Sequence, residues 1–168
     1  MAIHPAALPV ERLLADCEIR RTRRSGPGGQ HRNKVETAVI LLHRPTQISA
    51  EASERRSQEE NRQEAVLRLR LRLAVEVRQP VCMPYRHGTL WSSRCRGGRI
   101  AVNPRHENFP ALLAEALDVV VGCGHDVKLA AASLTCTPSQ LTKLLQLEPR
   151  ALLAVNQARQ QLGLHKLK

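Results

Sequence analysis

The chain has 168 residues, with 26 Lys and Arg against 15 Asp and Glu, a formal net charge of +11, and one Trp, one Tyr and one Phe. Such an excess of cations favours a polyanionic partner, and the dominance of arginine suits phosphates and stacked bases. No apolar run reaches the roughly 18 residues of a membrane-spanning helix, and Glu11, Asp16 and Glu18 stand where a secretory leader needs an apolar core.

Both halves are basic, with 15 cationic against 10 acidic residues over 1–80 and 11 against 5 over 81–168. The five cysteines, Cys17, Cys82, Cys95, Cys123 and Cys136, are scattered without a Cys-x-x-Cys pair and make no zinc pattern with the histidines. Reduced thiols, no metal, no cofactor and no membrane are expected. The compartment expected is the cytoplasm, with a mature organellar form left open.

In chain order, Pro9 to Asp16 reads as a short helical lead-in and Cys17 to Arg24 as a strand. The next stretch, Arg23 to Lys34, sets Gly26, Pro27, Gly28, Gly29 and Gln30 among Arg23, Arg24, Arg32 and Lys34. Glycine admits backbone conformations and close approaches that a β-carbon forbids, and Pro27 stiffens the turn. Gln30 cannot titrate, so it acts by hydrogen bonding, and neighbouring backbone N–H groups can stabilise an oxyanion. That combination fits hydrolysis by positioning, with no charged general base. The competing reading is a plain hairpin turn flanked by solvated arginines.

Val35 to His43 is an apolar, β-branched run that would return antiparallel to the first strand, and Pro45 ends it. Ile48 to Ala52 reads as a third strand. Ser53 or Ser57 then caps a long helix to about Arg78, with Ala65, Leu69 and Leu73 on one face and Arg62, Arg68, Arg70 and Arg72 spread over the rest. Those arginines are either solvated or in contact with RNA backbone.

From Pro80 to Arg105 prolines and glycines interrupt any helix. Thr89-Leu90-Trp91 and Arg99 to Val102 are expected to form a hairpin turned at Gly97-Gly98, made basic by Arg86, His87, Arg94, Arg96 and Arg99. Trp91 reads as a packing anchor in preference to a base-stacking platform. Phe109 to Val121 follows as an amphipathic helix. Then come a helix over Val127 to Leu134 capped by Asp126, a second opened by Pro138, and a third from Pro149 to Gly163. Ala130, Ala131, Leu134, Leu141, Leu144 and Leu145 have helix-turn-helix spacing, with Ser139, Gln140 and Lys143 at the start of its second helix. The fold class is therefore α+β: a small antiparallel sheet with a packed long helix over 1–79, a basic hairpin-like connector over 80–105, and a helical unit over 106–168.

Arg24-Ser25-Gly26-Pro27-Gly28-Gly29-Gln30-His31 with Asn33-Lys34 resembles the signature of the GGQ domain of class I peptide-chain release factors. Arg56-Ser57-Gln58, Asn61 and Ala65 match the same family where its third strand gives way to a long helix. The resemblance covers about the first 80 residues and implies hydrolysis of the peptidyl-tRNA ester in the ribosomal peptidyl transferase centre. Gly28, Gly29 and Gln30 would be catalytic, and Arg23, Arg24, Ser25, Arg32, Asn33 and Lys34 would contact RNA. It also implies ribosomal RNA and peptidyl-tRNA as partners and a glutamine methyltransferase acting on Gln30. No obligate oligomer is expected.

Only 27 residues precede Gly28, too few for a decoding domain, and neither a Pro-any-Thr tripeptide nor Ser-Pro-Phe occurs. The expectation is thus a codon-independent ribosome-rescue factor. Rescue factors with a long Lys/Arg-rich tail differ from this chain, where Lys166 and Lys168 are all that its last residues offer. The basic connector and helical unit are expected to dock to RNA in place of such a tail. Two alternatives stay open: a helix-turn-helix DNA-binding regulator with a basic N-terminal arm, and a ribosome-associated protein that retains the fold without hydrolysis.

Overall fold

In the computed structural model, which describes residues 3–22 and 37–168, strands β1 (Cys17–Thr22), β2 (Ala38–His43) and β3 (Ile48–Ala52) pair antiparallel in that order. They belong to the first of two units into which the chain divides, Met1–Leu73 and Ala74–Lys168. Side chains alternate faces along a strand, and the register sets Val39 opposite Ala52, Leu41 opposite Ala50 and His43 opposite Ile48. All six are buried, so one face of β2 and β3 is core. Strand β2 stops at His43 because Pro45, in the following turn, has no N–H for the ladder.

A 3₁₀ turn at Pro5–Ala7 and helix α1 (Val10–Ala15) precede the sheet and bury Ala6 and Leu13 completely. Helix α2 (Gln58–Glu76) follows it. Ala65, Leu69 and Leu73, one turn apart, have no exposed surface.

Three of the four arginines of α2, expected in solvent or against RNA, bond within the fold. Arg68 Nη1 donates to Glu51 O at 2.8 Å and to Glu54 Oε1 at 2.9 Å, and Arg72 Nη1 donates to Ser49 O. Four helical residues rise about 6 Å and two strand residues about 6.8 Å. Arginines four apart on α2 therefore match carbonyls two apart on β3, an edge strand. Capping an edge in this way blocks pairing with another chain. Arg70, 8% exposed, donates through Nε to Ala6 O at 2.9 Å and ties α2 to the N-terminal turn. Arg62 stays on the surface, 3.5 Å from Glu59, and Arg68 keeps 39% of its side chain exposed.

In the second unit, helix α3 (Thr89–Arg94) replaces the expected strand at Thr89-Leu90-Trp91. The hairpin is shorter, β4 (Cys95–Arg96) with β5 (Arg99–Ile100), and turns where expected, at Gly97 and Gly98 with φ of 56° and 76°. Two consecutive positive φ values are what a two-residue turn between twisted strands requires. Trp91 is the packing anchor, fully buried, with Nε1 donating to Leu134 O at 2.7 Å.

Helix α4 (Phe109–Gly122) is buried on nearly every side, where an amphipathic helix was expected. Its polar residues are covered too. Asp118 Oδ1 accepts from Arg78 Nη1 at 2.8 Å and from Gln79 N at 3.0 Å, while Glu115 Oε1 accepts from Tyr85 Oη at 3.0 Å and Gly88 N at 2.7 Å. Carboxylates three residues apart on one helix face thus hold the Pro-rich segment 78–88. Burial, with Glu115 beside it, pushes the Tyr85 hydroxyl pKa up and keeps it a donor.

Helices α5 (Val127–Ser133), α6 (Pro138–Gln146) and α7 (Pro149–Gln161) complete the unit. Asp126, Thr137 and Glu148 cap them, and Pro138 and Pro149 occupy first-turn positions that need no N–H. Burial, reinforced by neighbouring Cys95, pushes the Cys136 thiol up to about 12. All five cysteines are free thiols.

Candidate functional site

The β1–β2 pairing runs without interruption from Cys17 opposite His43 to Thr22 opposite Ala38. The two ends of the intervening chain are therefore held side by side. That chain carries every residue proposed for chemistry, Gly28, Gly29 and Gln30, and every residue proposed for RNA contact, Arg23, Arg24, Ser25, Arg32, Asn33 and Lys34. All nine lie outside the described residues.

The described residue that fixes this stem is Asn61. Its side chain has no exposed surface, and its Nδ2 donates to Thr37 O at 2.7 Å and to Arg55 O at 3.0 Å. Its Oδ1 accepts from Arg55 N at 2.9 Å. An amide offers two donors and an acceptor on one short, uncharged side chain, and here each is matched to a backbone group. A carboxylate could not donate, and a hydroxyl would be one donor short. Asn61 is thus a positioning residue joining three places: the end of the motif-bearing segment at Thr37, the turn after β3 at Arg55, and the first turns of α2.

The same geometry explains the spacing of the second motif. Ser57 accepts through its carbonyl from Asn61 N at 3.1 Å and through Oγ from Glu60 N at 3.4 Å, starting α2. Asn61 follows one turn on, and Ala65 one turn further faces the core. Sequence reading singled out Asn61 by resemblance, but its three backbone partners are 6 and 24 residues away, beyond any local pattern.

Beside the stem, Arg20 Nε meets Glu18 Oε1 at 2.7 Å on the exposed strand β1. The guanidinium holds the Glu18 carboxyl below its ordinary range, through a hydrogen bond and then through charge. Among the described residues no group of three or more His, Cys, Asp or Glu side chains is placed to hold a metal ion, and no helix is long and apolar enough to cross a membrane.

The helix-turn-helix pattern corresponds to α5 and α6, joined through Leu134 to Thr137. Ala130, Ala131, Leu134, Leu141, Leu144 and Leu145 are all buried between these helices and their neighbours. Gln140, one of its three candidate base-reading residues, is committed to the fold, because its Oε1 accepts from Ile100 N at 3.2 Å. Ser139 and Lys143 remain exposed.

A family model for the RF-1 domain matches residues 10–89. This segment belongs to the RF-1 domain family. The chain is 44% identical over 69 residues to the chloroplastic peptide chain release factor PrfB1 of Arabidopsis thaliana, covering 41% of this chain and 15% of that protein. It is 45% identical over 80 residues to peptide chain release factor 1 of Acidiphilium cryptum (strain JF-5), covering 46% of this chain and 23% of that protein. The chain therefore spans less than a quarter of either relative's length. No solved structure gives a significant match. The RF-1 domain takes in the sheet, the Asn61 clamp and all nine candidate site residues, and helices α4 to α7 lie beyond it.

Proposed function

We propose that the chain hydrolyses the ester of peptidyl-tRNA on stalled ribosomes without reading a stop codon. The observation that carries this reading is the pairing of Thr22 with Ala38, with Thr37 clamped by Asn61, at the base of the segment bearing Gly28, Gly29 and Gln30 inside an RF-1 domain. In the mechanism, Gly28 and Gly29 let the backbone approach the ester closely. The N–H of Gln30 donates to the oxyanion that forms as water attacks. Its side chain orients that water and excludes bulkier nucleophiles. Arg23, Arg24, Arg32 and Lys34 neutralise RNA phosphates, with Ser25 and Asn33 adding uncharged contacts. Methylation of the Gln30 amide by a glutamine methyltransferase belongs to the same reading, as does action in the cytoplasm or an organelle.

Independence from codons is the finer part of this proposal. The test compares labelled-peptide release from ribosomes halted at the end of a truncated mRNA with release from ribosomes holding a stop codon in the A site. Release on the truncated message that a stop codon does not improve is expected. Release confined to the stop codon would overturn the rescue reading and keep the hydrolase. A chain that binds ribosomes and releases nothing would restore the non-catalytic alternative.

A further inference from the structure

We infer that a cationic groove in the second unit, formed by α5, α6, α7 and residues 164–168, binds the phosphate backbone of a double-helical RNA. The cavity, about 600 Å³, is lined by Lys128 of α5, Lys143 of α6, Arg159 of α7 and Lys168. Asp126, an acidic residue in the same wall, is already engaged. Its Oδ1 accepts from Lys128 N at 2.8 Å and Leu129 N at 3.1 Å, and these bonds hold its carboxyl below the ordinary range.

The floor is a helical stripe. Ser139, Thr142, Lys143 and Gln146 of α6 stand at i, i+3, i+4 and i+7, so hydroxyls, an ammonium and an amide share one face, and all four line the groove. Such groups meet phosphate and ribose oxygens. No aromatic side chain is among the lining residues, so the groove has no platform for unstacked bases and suits backbone in preference to single-stranded bases.

The far wall is held in place by specific bonds. Asn156 clasps Leu167 twice, Nδ2 donating to Leu167 O at 3.1 Å and Oδ1 accepting from Leu167 N at 2.7 Å. Arg159 donates through Nε to His165 O at 2.8 Å and through Nη1 to His125 O. Residues 164–168 are thereby folded back against α7, and Leu164, Leu167 and Lys168 join the lining.

This lining weighs against base reading by α6. A recognition helix enters the B-DNA major groove, about 12 Å wide, by protruding from its domain. Here the polar face of α6 shares one lining with Lys128 and Asp126 and with Arg159 and Lys168. A lining of cations, hydroxyls and an amide suits a strand of phosphate backbone. The choice of RNA as the polyanion rests on the translation role proposed above. The phosphate chemistry stands without it.

The test uses the full chain and fluorescence anisotropy with a 16-base-pair RNA duplex of arbitrary sequence and a DNA duplex of the same sequence. The double variant Lys128→Ala/Lys143→Ala is compared with Arg12→Ala/Arg105→Ala, which removes the same charge from exposed positions outside the groove lining. Melting curves followed by Trp91 emission check that the second unit stays folded. In the groove variant RNA affinity should fall about tenfold or more. The log–log salt slope should become shallower by about 2, near 0.9 per lost phosphate contact. The control should stay within about threefold of wild type.

Equal losses in both variants, an unchanged slope in the groove variant, no binding of the RNA duplex by wild type, or DNA bound at least as tightly as RNA would each overturn the inference. Ester hydrolysis is not read in this assay. Its outcome is therefore separable from that of the peptide-release experiment.

Discussion

Replacing Asn61 by alanine removes three hydrogen bonds at a site with no exposed surface, stranding Thr37 O, Arg55 O and Arg55 N. Each such bond contributes about 1 kcal/mol net, so the first unit should lose about 3 kcal/mol. For a unit of this size that corresponds to a drop of roughly 10–25 °C in its melting temperature. Far-ultraviolet circular dichroism measures the loss, and hydrogen exchange at the Arg55 amide gives the local readout, because that N–H donates to Asn61 Oδ1. Asn61→Asp sharpens the test. It keeps the acceptor for Arg55 N, loses both donors and faces two carbonyls with a charge, so it should be at least as destabilised at neutral pH. It should then recover partly as pH falls, when the protonated carboxyl regains one donor. Below its melting temperature, Asn61→Ala should also release peptide more slowly than its folded fraction allows, since Thr37 ends the segment that carries Gln30. A loss under about 1 kcal/mol with unchanged Arg55 exchange would refute the clamp.

Trp91→Phe should destabilise the second unit by about 2 kcal/mol, because it strands the buried Leu134 carbonyl and leaves a void where the larger ring stood. The single Trp makes the wild-type baseline easy to read: folded emission should be blue-shifted and should move red on unfolding. Gly98→Ala should cost about 1 kcal/mol by chemical denaturation, since its φ of 76° lies where a β-carbon is strained. Burial pushes the His43 pKa below its ordinary 6.5, with Asp16 opposing weakly. The unfolded chain therefore binds more protons than the folded one near and below that value. Stability should hold above pH 6.5 and fall as pH drops through the lower folded value. His43→Asn should make that fall less steep in a melting series. His125, whose pKa burial and Arg159 also lower, keeps part of it.

The parts of the fold that were legible are those set by local chemistry. Val39, Leu41 and His43 alternate against Ile48, Ala50 and Ala52, and Pro45 marks the turn between them. Asp126, Pro138 and Pro149 place three helix starts because capping and a missing N–H act within one turn. Thr89-Leu90-Trp91 misled because threonine and tryptophan favour strands. Burial of the indole against Leu134, 43 residues away, and the bond from Ser92 N to Gly88 O at 3.1 Å decide for helix instead. In α4 the polar residues Glu115 and Asp118 read as a solvent face, yet their partners are donors on segment 78–88. Arg68, Arg70 and Arg72 read as free cations for the same reason: their acceptors are backbone carbonyls 17, 64 and 23 residues away. The candidate site residues were read from a motif and lie outside the described residues. The Asn61 clamp was not legible, since one asparagine in a helix does not announce which carbonyls it meets.

The central claim is tested most directly by peptide release from purified ribosomes that carry peptidyl-tRNA over an A site without a codon, with wild type, Gly29→Ala and Gln30→Ala compared at equal ribosome occupancy. The account predicts release by wild type and a loss of roughly 10²–10³ in rate for Gly29→Ala, the scale of misplacing one oxyanion donor. Gln30→Ala keeps the backbone N–H and should lose less rate while accepting bulkier nucleophiles than water. Equal rates for Gly29→Ala and wild type would contradict it.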